Sequence, residues 1–168
     1  GDEGWIWEYD SSDGKYTLTL DNCSISASSD SGIILPGVEK IDIVLIGNNS
    51  VVGGGGNGDY NSSGIHNYAD NVKLNLKITG DGTLNVKSTG SINNSYGKAI
   101  SLPNGSLTIN SNVVATRGIY AFHNVVIEDC QVDVDIDNHN SALHGGTIDI
   151  KNSTVSATVL DEDKDNDN

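Results

Sequence analysis

The 168-residue sequence has no methionine, two prolines, two cysteines, one phenylalanine and a single arginine, Arg117. Alanine and leucine, the good helix formers, are sparse. No window repeats apolar residues at helical spacing over three turns, so almost no helix is expected. Nine basic residues stand against 23 acidic ones, a net charge of −14. That balance excludes a nucleic-acid partner, whose phosphates need a basic face, and disfavours an anionic membrane surface. No stretch approaches the roughly 20 apolar residues of a spanning helix, so no membrane insertion is expected. No G-x-S-x-G, phosphate-binding loop, dinucleotide fingerprint or H-E-x-x-H spacing occurs, and no motif specifies a reaction. The chain opens on Gly1 without a signal peptide, which reads as a mature or trimmed form. Scarcity of Lys, Arg, Cys and Met suits an exported protein.

What is present is strand-forming. Val, Ile and Thr fill the apolar and semi-apolar positions, with Gly, Asn and Ser between them. Six copies of one pattern are visible: apolar-x-apolar, a short polar turn, then apolar again. They are Leu18-Thr19-Leu20 with Ile25, Val44-Leu45-Ile46 with Val51, Leu76-Lys77-Ile78 with Leu84, Leu107-Thr108-Ile109 with Val114, Val125-Val126-Ile127 with Val132, and Ile148-Asp149-Ile150 with Val155. A second column, Ile33, Ile65, Ala99, Ile119 and Ala142, precedes successive copies. A single copy cannot bury its apolar side chains, but stacking sets each on its counterpart about 4.8 Å away. The spacing therefore predicts an all-β, right-handed parallel β-helix, a solenoid of about six coils. One domain is expected over residues 1–160, with 161–168 an acidic tail or linker.

The turns hold Asn22, Asn48, Asn49, Asp81, Asn112, Asp129 and Asn152, short side chains that tolerate left-handed corners and can bond along a stack. Cys23 and Cys130 are expected at one turn position four coils apart, roughly 19 Å at the strand spacing. That is too far for a disulfide, so two free thiols are expected.

Trp5, Trp7 and Tyr9 alternate, so they share one face of an N-terminal strand. The expected role is a cap over the solenoid's open end, with stacking on sugar rings as the other use. Two longer loops interrupt neighbouring coils at the same place. One carries Asn57, Asp59, Tyr60 and Asn61, the other Asn93, Asn94 and Tyr96. Aromatic rings among amides suit a hydroxyl-rich ligand, and these seven residues form the candidate binding site.

The strand Val132-Asp133-Val134-Asp135-Ile136-Asp137 turns three carboxylates outward. By register Arg117 is expected beside Asp135 and Lys87 one coil earlier. The bland reading is a ladder of surface ion pairs. The sharp one is a calcium site on Asp133, Asp135 and Asp137. No cofactor is required, and calcium is the one ion this strand would suit. His123 and His144 fall at similar depth and are expected to be neighbours.

The opening Gly4-Trp5-Ile6-Trp7 before Tyr16-Thr17-Leu18-Thr19-Leu20, and Ile78-Thr79-Gly80-Asp81-Gly82-Thr83-Leu84-Asn85-Val86, carry a family likeness. The chain resembles the right-handed β-helix surface proteins of Firmicutes that are labelled carbohydrate-binding-domain-containing. The resemblance implies a secreted or cell-surface, monomeric, non-catalytic binding or adhesin module for polysaccharide. The alternatives are a calcium-dependent polysaccharide lyase or hydrolase, and a structural spacer.

Overall fold

The computed structural model describes residues 4–54, 63–67, 71–89, 97–136 and 141–159. These residues are all-β: eighteen strands, no helix, in three mostly parallel sheets. In chain order they are β1 (Trp5–Asp10), β2 (Lys15–Asp21), β3 (Ser24–Ser26), β4 (Ile33–Leu35), β5 (Lys40–Ile46) and β6 (Asn48–Gly53). There follow β7 (Ile65–Asn67), β8 (Leu74–Gly80), β9 (Thr83–Ser88), β10 (Ile100–Leu102), β11 (Gly105–Ile109) and β12 (Asn112–Thr116). The last six are β13 (Ile119–Ala121), β14 (Asn124–Glu128), β15 (Gln131–Ile136), β16 (Leu143–His144), β17 (Thr147–Lys151) and β18 (Thr154–Val159).

From β2 onward successive strands visit the three sheets in turn, so each strand pairs with the one three places along the chain. The first sheet runs β1-β2-β5-β8-β11-β14-β17, the second β18-β15-β12-β9-β6-β3 and the third β16-β13-β10-β7-β4. Every pairing but one is parallel. The exception is β1, which lies antiparallel on β2 through the turn Ser11–Gly14, with Gly14 at φ 66°. That four-residue turn is invisible to a search for two-residue hairpins.

The core follows from period-two alternation. Leu18, Ile43, Ile78, Ile109, Ile127 and Ile150 form one inward row of the first sheet. Ile25, Val51, Val86, Ala115, Val134 and Ala157 form one in the second. Ile33, Ile65, Ile100, Ile119 and Leu143 form one in the third. Each fully buried aliphatic among them stabilises the fold by about 1.5–3 kcal/mol.

The sequence pattern is one residue out in three places. In β5 the inward residues are Ile41, Ile43 and Leu45, while Val44 and Ile46 face out. In β12 they are Val113 and Ala115, with Val114 outside. In the third sheet Ile100 and Leu143, not Ala99 and Ala142, pair with Ile119. Unbroken apolar runs cause the first two shifts, because alternation has no polar residue to anchor it.

The corners behave as short amides and carboxylates allow. Asn22, Asp129 and Asn152 all sit at positive φ, 49°, 54° and 46°. Asn48 and Gln131 each donate a backbone N–H to an amide oxygen in the neighbouring turn, of Asn22 and Asn112 respectively. Cys23 and Cys130 form no disulfide, but they do not share a turn position. Cys23 immediately precedes β3, beside the inward row, whereas Cys130 lies two residues ahead of the inward Val132.

Candidate functional site

The two candidate loops leave and rejoin the sheets at matched positions. Gly53 pairs with Ser88 at the ends of β6 and β9, and Thr89 N–H donates to the Gly53 carbonyl at 2.9 Å. On the far side Gly64 N–H donates to the Lys98 carbonyl at 3.2 Å, and Ile65 N–H to Ala99 at 2.9 Å, where β7 and β10 begin. The residues between, including Asn57, Asp59, Tyr60, Asn61, Asn93, Asn94 and Tyr96, lie outside the described residues. Their flanks are nonetheless paired at both ends.

These flanks lead into the third sheet, whose outward row is Ile34, His66, Ser101, Tyr120 and His144. His66 and Ser101 are buried although they point away from the core, so β7 and β10 are covered on both faces. Further along, the Tyr120 and His144 rings lie 4.9 Å apart at an angle of 34°. His144 therefore stacks on Tyr120, while His123 lies with Nε2 3.3 Å from Asn104 Oδ1 and its ring edge-on to Phe122. Sequence reasoning missed this row. Its signal is the polar or aromatic residue that follows the inward Ile65, Ile100, Ile119 and Leu143 of the third sheet.

The acidic strand is described as far as Ile136. The Asp133 carboxylate accepts from Gln131 Nε2 at 2.7 Å and from Ser156 Oγ at 2.5 Å, so neutral donors meet it. Asp135 stands in register with Thr116 and Thr158. Arg117 is one residue beyond the expected place: its backbone N–H, at φ 88°, donates to the Asp135 carbonyl at 2.7 Å. Asp137 lies outside the described residues. Among the described residues no three His, Cys, Asp or Glu side chains come together as a metal-holding group.

Among the described residues, ion pairs are seen on the outward face of the first sheet. Lys15 meets Asp42 at 3.0 Å, and Lys151 meets Glu128 at 2.9 Å and Asp149 at 3.0 Å. The hydrogen bond from Lys151 holds the Glu128 carboxyl below the usual glutamate range, and the same contact raises Lys151 above the usual lysine range. All these groups are solvated, so each pair contributes little.

A fourth feature is the aromatic hairpin. Trp5, Trp7 and Tyr9 pair with Leu20, Leu18 and Tyr16, on the inward side of β1. Trp7 stacks on Tyr16 at 5.3 Å and 23°, and Tyr9 meets the same ring at 4.6 Å.

No protein family, curated protein or solved structure matches the chain.

Proposed function

We propose that this chain is a non-catalytic binding or adhesin-type module that works outside the cell and recognises polysaccharide. Its scaffold is read as a right-handed parallel β-solenoid of about six coils, akin to the β-helix surface proteins of Firmicutes. The order in which strands visit the three sheets supports the winding, and the strong preference for right-handed parallel crossovers supports the hand.

The observation that carries the binding reading is the matched placement of the two inserted segments. They leave paired residues of the second sheet and rejoin paired strands of the third. Tyr60 and Tyr96, with Asn57, Asp59, Asn61, Asn93 and Asn94, thus belong to segments tethered side by side. The outward row with Tyr120 and His144 continues from the same strands. Insertions clustered at one place of a repeat structure are a usual way to build a binding face. Acidic net charge favours a neutral glycan over an anionic one.

A panel of immobilised polysaccharides tests the reading. The intact chain should bind at least one neutral polymer, and the Tyr60→Ala/Tyr96→Ala double variant should bind it markedly less. Undiminished binding by that variant sinks the site. The lyase or hydrolase alternative predicts product release from polygalacturonate with added calcium; none is expected. A spacer would bind nothing on the panel.

A further inference from the structure

We infer that the N-terminal aromatic hairpin is a second glycan-binding surface, a platform on which a neutral oligosaccharide chain lies along β1. The inference rests on the polysaccharide reading but uses residues separate from the loop site. Both tryptophans of the chain and two of its six tyrosines fall within residues 5–16. A strand serving only as a lid would bury its rings. Here Trp5, Trp7 and Tyr9 remain 46%, 37% and 56% exposed, although they point to the core side of their sheet. Half-exposed large aromatics gathered in one row mark an interaction surface more often than chance exposure does.

The row suits sugar. Alternation spaces the three side chains about 6.8 Å apart, two strand rises, so they form a line rather than a patch. Tyr16, wedged against both Trp7 and Tyr9, holds their rings in place. An aromatic face is electron-rich and accepts the C–H face of a pyranose ring, while indole N–H and phenol O–H reach hydroxyls at its rim. Charge decides between occupants. A second copy of this chain brings another −14 charges, and an anionic polymer is repelled as well. A neutral glycan meets no such opposition.

Trp5 and Trp7 are the only tryptophans, so intrinsic fluorescence reports on this surface alone. Soluble cello-, xylo- and manno-oligosaccharides are titrated against the intact chain. The expected result is a saturable blue shift with at least one of them, and protection of the emission from acrylamide. Tyr9→Ala keeps both reporters and should weaken the affinity about tenfold, the effect of roughly 1.4 kcal/mol. Tyr60→Ala/Tyr96→Ala should leave the fluorescence titration unchanged, which separates this surface from the loop site. No saturable change with any sugar overturns the inference, as does unaltered affinity in Tyr9→Ala. A blue shift that follows protein concentration without sugar, with a dimer in sedimentation, assigns the platform to a second copy and overturns it too. Should Tyr9→Ala fail to fold, acrylamide protection in the intact chain still decides.

Discussion

Asn49 reaches across one strand spacing to hold Cys23: its side-chain Oδ1 accepts the Cys23 backbone N–H at 2.9 Å. Its Nδ2 donates to the Ile46 carbonyl at 3.1 Å, and the residue is 1% exposed. Asn49 pairs with Leu84 at the head of a row continued by Val113 and Val132, so an amide stands where aliphatics would be expected. The two hydrogen bonds explain its place, since they tie the turn at Gly47 to Cys23 in the neighbouring turn.

Asn49→Leu is therefore predicted to destabilise despite matching the aliphatic row. It leaves the buried Cys23 N–H unpaired, at a cost of about 1–3 kcal/mol, while the Ile46 carbonyl keeps the Asn22 N–H. Urea unfolding of the variant should show a lower midpoint with an unchanged slope. A midpoint equal to or above that of the parent chain would refute the role given to the amide.

Two glycines at positive φ make a graded pair. Gly14, at φ 66°, has open space around its missing side chain, so Gly14→Ala should cost only the left-handed backbone, about 1–2 kcal/mol. Gly80, at φ 107°, would set a Cβ 2.3 Å from the Leu45 carbonyl oxygen and 2.8 Å from its nitrogen. Gly80→Ala adds that clash to the backbone strain, for a total of about 3–5 kcal/mol. Thermal melts of both variants check the order; equal losses would contradict the packing at Leu45.

The strand rhythm was legible wherever polar residues anchor the alternation, as at Leu76-Lys77-Ile78 and Val132-Asp133-Val134. It slipped by one in Lys40–Ile46 and at Val113-Val114, because a run of β-branched residues satisfies either register and only the neighbouring strand decides. The antiparallel β1 was not foreseen, since hairpin partners depend on a turn that sequence spacing does not reveal. The outward row of His66, Ser101, Tyr120 and His144 escaped notice for another reason. Each strand, two or three residues long, contributes one member, so no periodicity exists within any strand. Asn49 reads as a corner in the sequence, and its burial shows only once Leu84 is set beside it.

The two thiols should be sluggish. Cys23 is buried, and desolvation pushes the half-buried Cys130 thiol above its ordinary value, which lowers the fraction of reactive thiolate. Ellman's reagent should label the native chain slowly, Cys130 ahead of Cys23, and both at once in guanidinium. Immediate labelling of Cys23 in the native chain, or a Cys23–Cys130 peptide in a non-reducing digest, would show the stacking order to be wrong.

Glu128 and Lys151 face each other in register between β14 and β17, and their contact sets a pH dependence whose sign follows from both groups. The Glu128 carboxyl is lowered by the Lys151 hydrogen bond. Its stabilising contribution is complete above the ordinary glutamate value of about 4.3 and is lost as the pH falls through its lower native value. Lys151 is raised by Glu128 first and Asp149 second. Its contribution is complete below about 10.4 and is lost as the pH climbs past its higher native value. The midpoint difference between the parent chain and Glu128→Gln should thus be small but positive near neutral pH. It should vanish in strong acid, and it should shrink in about 1 M salt, where screening is nearly complete. Lys151→Met should lose more than Glu128→Gln, because the amine also serves Asp149 at 3.0 Å. A difference for Glu128→Gln that persists unchanged into acid would mean that the carboxylate's charge is not what Lys151 recognises, and that shape or packing at β14 carries the effect.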